Sequence, residues 1–230
     1  MSGPRLPLPA RLPQRVAVYV LGIMFIALGV AFSINSDLGI STVSSLPYVV
    51  SLVSCWPLSL CVTGVFCAAI LLQVLLLRRQ FQPVQLCQVL VATLFGALVD
   101  LFSALLGDFC LPGYGGRLVM TLIGVVLIAL GVTVYVEAAL VPMPMEGLAL
   151  ALSRKCRRVP FHRAKIMVDC FLVGSSVALS LAALGGLEGV REGTILSALL
   201  VAPLIPHIRR VVKPGICRLC YPKCVTETAE

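Results

Sequence analysis

Residues 16–34 form an apolar run that ends abruptly in small and polar residues. The 19 residues of this run carry no charged side chain. A helix of that length spans about 28 Å, close to the hydrocarbon thickness of a lipid bilayer. The residues that follow at once include Asn35, Ser36, Asp37 and Gly39. A membrane helix that breaks into a polar turn is therefore the strongest constraint on the fold.

The same stretch recurs later in the chain at an offset of 102 positions. Without gaps, residues 22–51 match residues 124–153 at nine of thirty positions, including the run Ile-Ala-Leu-Gly-Val. Asn35 falls opposite Glu137 in this alignment. We interpret the match as an internal repeat of a membrane protein, in which each half carries its own helix break.

The composition supports a protein that crosses the membrane several times. Hydrophobic residues make up 59% of the 230 residues, charged residues make up 12%, and the mean hydropathy is +1.04. One soluble core cannot cover that much apolar surface. The net charge of +8 comes from short basic clusters between apolar runs, without interleaved aromatic residues. This pattern indicates membrane topology and excludes a nucleic-acid surface.

Five further apolar runs follow the first, so the sequence predicts six transmembrane helices. Their predicted ranges are about 16–34, 58–77, 84–106, 118–141, 166–184 and 194–208. The sixth is short for a full span and contains two prolines, so we expect it to be kinked or partly covered by its neighbours. A basic, proline-rich arm (residues 1–15) precedes the spans, and a cysteine-containing tail (residues 211–230) follows them.

Basic charge alternates along the connections between the predicted spans. The loops at 78–83 and 154–165 and both chain ends are basic, whereas the other connections are weakly charged. The positive-inside rule then places both termini in the cytoplasm. The six spans form two units of three, residues 16–106 and 118–208, which lie upside down relative to each other. The predicted fold is an all-α, polytopic membrane helix bundle built from two inverted three-helix repeats.

Charged groups within the predicted spans are candidates for a transport pathway. Each costs roughly 2.5 to 3.5 kcal/mol at the bilayer centre on insertion scales, so each needs a partner or a function. Glu137 lies just before Pro142 and matches Asn35 in the repeat. It is either a contact for an ion, a proton or a substrate amine, or an interfacial side chain paired with Arg154 or Lys155.

Two aspartates lie near the ends of other predicted spans. Asp100, near the outer end of the third span, has no basic residue close to it in sequence, so it is a better candidate than Asp169 to face a cavity. Asp169, near the inner end of the fifth span, is one helical turn from Lys165 and is expected to pair with it.

The polar turn after the first span is a second candidate site. Asp37 precedes Ser41 and Thr42, a composition suited to capping a short helix that starts near Ser44 or Ser45. The first amides of that helix could face an anion, or Asp37 could face a cation; capping alone is the other interpretation.

Glu146 occupies the matching region after the second break. It lies beside seven basic residues of the following segment, so an ion pair and a binding role both remain open. Thr194 opens the sixth predicted span as a natural N-cap. The complete set of candidate pathway residues is Asn35, Asp37, Ser41, Thr42, Asp100, Glu137, Glu146 and Thr194.

The tail carries three cysteines in a CxxCxxxC pattern, Cys217, Cys220 and Cys224. They are weak candidates for a zinc or cluster site, because the usual two-plus-two ligand spacing is missing. A reduced cytoplasmic tail is expected instead, and no cofactor is predicted.

Two stretches resemble a known family of bacterial membrane proteins. The segment GIMFIALGVAFSINSDLGIS (22–41) and the segment REGTILSALLVAPLI (191–205) are similar to the YczE/YyaS/YitT-type integral membrane proteins. The resemblance implies a permease-like protein of the bacterial cytoplasmic membrane, and it implies no substrate and no catalytic residue. Thr42 and Val43 stand where relatives tend to carry proline and tryptophan.

We predict a small secondary transporter or channel-like permease for an unknown small solute or ion, embedded in the lipid bilayer. A homodimer is considered because six short helices enclose little volume. The alternative is a non-transporting accessory or scaffold protein that recruits or stabilises a partner through residues 154–165 or the tail. The sequence holds no phosphate loop, nucleophile elbow, HExxH motif or catalytic triad, so no enzymatic activity is predicted.

Overall fold

The computed structural model describes residues 12–78, 82–156 and 159–220. The predicted arm therefore lies outside the described residues up to position 11, as does the tail from position 221 onward, including Cys224. Within the described ranges the chain is all-α, with eight α-helices and one short 3-10 helix before the fourth. The α-helices are α1 (Leu12–Ser36), α2 (Thr42–Ser54), α3 (Leu58–Leu77), α4 (Cys87–Leu106), α5 (Gly113–Ala138), α6 (Pro144–Lys155), α7 (Phe161–Leu184) and α8 (Glu192–Cys220).

Six of these helices are long and apolar enough to cross a membrane. They are α1, α3, α4 together with the 3-10 turn before it, α5, α7 and α8. Hydrocarbon offers no hydrogen bonds to the backbone, so each crossing segment satisfies its own amides and carbonyls as a helix. The prediction of an all-α bundle with six spans is confirmed.

The two short helices, α2 and α6, each follow a break in a long helix. α1 ends at Ser36 and α2 begins at Thr42, while α5 ends at Ala138 and α6 begins at Pro144. Both pairs of boundaries differ by 102 positions, which is the offset of the sequence repeat. The two breaks therefore have the same length and the same place in each half.

The backbone conformation of the breaks also matches. Asp37 and Ala139, the residues directly after α1 and α5, have φ values of 52° and 50°. The left-handed region is unfavourable for residues with a Cβ, and one residue there is enough to stop a helix. The second break lies at Ala139, three residues before Pro142, although the sequence predicted that the helix would continue to position 141.

Glycines bring α1 and α5 into close antiparallel contact at the centre of the bundle. A Cβ atom on Gly22 would lie 2.9 Å from the Gly131 carbonyl oxygen, and one on Gly29 would lie 2.7 Å from the Gly124 carbonyl oxygen. Small residues at such crossings let two backbones approach each other within the membrane. These four glycines are related by the 102-residue offset, so the contact is reciprocal.

The other helices pack around this central pair in corresponding arrangements. α4 packs on α1 as α8 packs on α5, and α2 packs on α7 as α6 packs on α3. α2 contacts α3 as α6 contacts α7. Two pairs break the pattern. α3 and α4 pack along each other, whereas α7 and α8 have no comparable contact in the described chain, and α1 touches α8 although α4 and α5 have no comparable contact.

The sixth span is longer than the sequence predicted. α8 continues to Cys220, not to about residue 208, and contains Pro203, Pro206 and Pro214. Its last turns bury Ile216 and Cys220, so packing against the bundle maintains the helix past its prolines. The first ten residues of the predicted tail are therefore helical.

Candidate functional site

Asp37 lies at the first break and is held by two arginines. The Arg117 Nη1 donates to the Asp37 Oδ2 at 3.0 Å, and the Arg191 Nη1 donates to the Asp37 carbonyl oxygen at 3.0 Å. The Asp37 side chain is 56% exposed, so each ion pair contributes at most about 1 kcal/mol to stability. The end of the bundle around this cluster is called the Asp37 end below.

Backbone hydrogen bonds join the first break to the start of α8. The Gly193 N–H donates to the Leu38 carbonyl at 2.7 Å, and the Ile40 N–H donates to the Gly189 carbonyl at 3.0 Å. Thr194 is buried here in the first turn of α8, which begins at Glu192. The prediction that Thr194 is the N-cap is therefore wrong, because the helix starts two residues earlier.

α2 begins at Thr42, earlier than the predicted start near Ser44 or Ser45, and Ser41 directly precedes it. Ser41 occupies the N-cap position without a side-chain cap bond, and the Thr42 carbonyl accepts a hydrogen bond from the Ser45 hydroxyl at 2.9 Å. Asp37 does not cap α2, since its carboxylate is engaged by Arg117 and Arg191. The capping interpretation of Asp37 is replaced by an interhelical ion-pair cluster.

Arg15 makes the corresponding contact at the second break. Its Nε donates to the Ala138 carbonyl at 3.0 Å and its Nη2 donates to the Ala139 carbonyl at 2.7 Å. These carbonyls end α5, so the guanidinium caps the helix. Arg15 and Arg117 are also 102 positions apart, and each reaches from the start of one central helix to the break in the other.

Glu137, near the end of α5, forms an ion pair with Arg209 of α8. Neither Arg154 nor Lys155, the partners considered from the sequence, makes this contact. The Glu137 side chain is 10% exposed, whereas that of Arg209 is 53% exposed. This end of the bundle, opposite the Asp37 end, is called the Glu137 end below.

Asn35, the repeat counterpart of Glu137, has a different partner. Its Nδ2 donates to the carbonyls of Gly107 and Phe109 at 2.8 and 3.1 Å, which fastens the loop between α4 and α5. The two matched polar residues therefore lie at opposite ends of the bundle and are not brought together.

Asp100 accepts a hydrogen bond from the Ser59 N–H at 3.1 Å. Ser59 is the second residue of α3, and the N-cap residue Pro57 provides no side-chain cap. Asp100 thus satisfies a free amide at the start of a neighbouring helix and complements its dipole. This contact assigns it a capping role at the Asp37 end, in place of the predicted cavity role.

Glu146 lies in the first turn of α6, outside the six crossing helices. Burial raises the pKa of Glu146 to about 7; Lys165 and the Met143 backbone lower it, and Asp169 raises it. Lys165 itself donates to the Asp169 carboxylate at 2.8 Å, which confirms the predicted pair.

A pair of buried glutamines beside α6 was not among the predicted site residues. The Gln73 Nε2 donates to the Gln88 Oε1 at 3.0 Å and to the Pro144 carbonyl at 2.9 Å. Both glutamines are fully buried. Gln73 lies in an apolar span without a nearby polar signal. The packing of α3 on α4 brings the two amides together, and the return of α6 against α3 adds the Pro144 carbonyl.

A cavity of about 210 Å³ opens beside this pair at the Glu137 end. Its lining combines apolar side chains with the polar residues Gln82, Gln85 and Arg154, and it includes Gly147 of α6. Arg154 is exposed in the last turn of α6, where a basic residue also complements the helix dipole.

The cysteine pattern of the tail is only partly within the described residues. Cys217 is half-buried and Cys220 is buried in α8, and Cys224 lies outside. Among the residues that the structure describes, no three His, Cys, Asp or Glu side chains are grouped to hold a metal ion.

These features define a helical membrane protein with two broken-helix elements and a polar cavity at one of them. The chain belongs to the family of unknown function DUF6198, whose pattern matches residues 13–210. The match covers all six crossing helices apart from the last turns of α8. No curated protein and no solved structure matches the chain.

Proposed function

We propose that the protein is a secondary transporter or permease for a small solute or ion. The pathway runs between two inverted units, residues 16–106 and 118–208. The observation that carries the proposal is the matched pair of breaks, each with a left-handed residue followed by a short helix at the same offset. Interrupted helices in corresponding places of two inverted halves are typical of transporter binding sites.

Three independent observations support the inverted arrangement. The central glycines meet reciprocally and antiparallel, the helix pairs outside them correspond, and Arg15 and Arg117 occupy equivalent positions at opposite breaks. The unmatched contact of α3 with α4 fits a protein in which one half is more open than the other.

Ion pairs hold α8 at both ends of the proposed pathway. Arg191, next to the start of α8, contacts Asp37, and Arg209 within α8 contacts Glu137. α8 packs mainly along α5, and these two ion pairs add a charged contact at each of its crossing ends. In the proposal these ion pairs close the two ends of the pathway, and each pair breaks when its own end opens.

The proposal also places the protein in its membrane. The basic Glu137 end faces the cytoplasm with both termini, by the positive-inside rule. The resemblance to YczE/YyaS/YitT-type proteins favours the bacterial cytoplasmic membrane. A homodimer remains part of the proposal, because α7 and α8 present uncovered apolar faces that a second copy or lipid would contact.

Solute flux into proteoliposomes tests the proposal. We expect the wild-type protein to transport at least one member of a panel of amino acids, organic acids, amides and metal ions. The Glu137→Gln variant, which removes the charge that holds Arg209, is expected to lower that flux severalfold. Asp108→Asn, a matched charge removal in an exposed loop, is expected to leave it unchanged.

A wild-type protein that gives no flux across the panel would contradict transport. If the same protein retains a partner through residues 154–165 in a pull-down, the accessory or scaffold function replaces it.

A further inference from the structure

The hydrogen bonds of the glutamine pair fix the orientation of both side-chain amides. The Pro144 carbonyl can only accept, so the Gln73 atom that bonds to it is the nitrogen. The same nitrogen bonds to Gln88, which must therefore present its oxygen. The outward atoms of the pair are then the Gln73 Oε1, an acceptor, and the Gln88 Nε2, a donor.

Neither outward atom has a hydrogen-bond partner among the described residues. Both glutamines have no exposed surface, and buried amide atoms without partners are rare and destabilising. A donor and an acceptor left open side by side, buried at the Glu137 end of the bundle, indicate a group that completes them.

Gly147 separates the glutamine pair from the cavity. A Cβ atom at this position would lie 2.6 Å from the Gln73 Oε1 and 2.6 Å from the Gln88 Nε2, so only glycine allows α6 to lie this close. Gly147 also lines the cavity, together with Gln85, whose Oε1 has no partner in the described chain. A solute in the cavity can reach the open amide atoms only if α6 moves at Gly147.

We propose that the cavity and the glutamine pair form a binding site for a small uncharged solute with neighbouring hydrogen-bond donor and acceptor atoms, as in a primary carboxamide. The solute donates to the Gln73 Oε1 and accepts from the Gln88 Nε2, and the apolar walls contact its carbon atoms. This inference rests on the proposed function, because it names the class of solute that the pathway accepts.

Binding to the purified wild-type protein in detergent tests the solute class without any variant. The probes are propionamide, propionate and propylammonium, which have similar size but differ in charge and in their donors and acceptors. We expect propionamide to bind in isothermal titration calorimetry and the two ions to bind at least tenfold more weakly. Equal or tighter binding of propionate would show that Arg154 selects an anion, and no binding of any probe would show that water completes the pair; either result overturns the proposal.

A variant locates the binding site. Gln88→Met keeps the length of the side chain but removes the Nε2 donor together with the Oε1 that accepts from Gln73, whose nitrogen still donates to the Pro144 carbonyl. Propionamide then loses one hydrogen bond, and its affinity is expected to fall about tenfold. Thr93→Val is the matched control, because Thr93 is an exposed residue of α4 whose hydroxyl bonds only within its own helix. Unchanged affinity in a monodisperse Gln88→Met protein would overturn the assignment.

The two proposals fail in different ways. Propionamide binding without flux of any solute would contradict transport and leave the site intact. Flux of another solute without propionamide binding would contradict the site and leave transport intact.

Discussion

At the scale of single residues, side chains at the helix ends determine several of the contacts between different helices. Arg15, Arg117 and Asp100 each satisfy a group at the end of a helix other than their own. Such contacts depend on which helices become neighbours, so hydropathy alone does not reveal them. The two arginines could have been found from the sequence, because extending the 102-residue alignment seven positions upstream of Gly22 pairs them.

A substitution at Asp100 separates capping from a role in ion transport. Asn is as good a cap as Asp, whereas Ala loses the acceptor and costs about 1 kcal/mol. We therefore expect Asp100→Asn to keep the wild-type melting temperature in detergent and Asp100→Ala to lower it. A loss of flux in a fully stable Asp100→Asn protein would instead return Asp100 to the pathway.

The raised pKa of Glu146 predicts a pH dependence of stability. Its carboxyl has a pKa of about 7 in the folded protein against an ordinary value of 4.5. The folded state then binds more protons between these values, so stability falls as pH rises through that window. We expect Glu146→Gln to reduce the slope of melting temperature against pH in this window. The control Glu188→Gln, at an exposed position, should keep the wild-type slope.

At the scale of elements, local hydropathy predicts the crossing helices because every residue of a span has to be compatible with lipid. The predicted ranges 58–77 and 84–106 agree with the structure, as does the presence of a short helix after the first break. The end of α8 was not predictable in this way. Its prolines indicate a stop locally, but the burial of Ile216 and Cys220 against the bundle keeps the helix intact.

The central crossing of α1 and α5 should be intolerant of added volume. A Cβ atom on Gly131 would meet the Gly22 carbonyl oxygen and the Ile26 backbone nitrogen at 2.5 and 2.7 Å. Gly131→Ala is therefore expected to destabilise the protein by about 1 to 3 kcal/mol. Gly64→Ala is the matched control, since a Cβ there meets nothing within 4 Å. Its melting temperature in detergent should equal or slightly exceed that of the wild type, because alanine favours a helix more than glycine does. Equal melting temperatures for both variants would contradict the close crossing.

At the scale of the whole molecule, the two ends of the bundle differ in chemistry. The Asp37 end consists of backbone pairing and an exposed ion-pair cluster, whereas the Glu137 end holds the cavity, the buried glutamines and the basic segment. The charge pattern predicted two different ends, but it did not predict the cavity, which exists only because α6 turns back against α3.

The orientation of the molecule can be tested by labelling single-cysteine variants in intact cells. Cys110 and Cys156 are both exposed and lie at the Asp37 end and the Glu137 end, respectively. An impermeant maleimide added outside is expected to modify Cys110 and to spare Cys156. The opposite result would reverse the assignment of the cytoplasmic side.

The reciprocal contact of the central glycines has a consequence for how such a protein can diverge. Two identical subunits meeting in this way would carry every substitution twice, once at each membrane face. In one chain the equivalent positions change separately. Two such differences between the halves are Asn35, which corresponds to Glu137, and Asp37, which corresponds to Ala139. One face can therefore acquire a different affinity for a solute, or a different ease of opening, while the shared axis of the molecule stays the same.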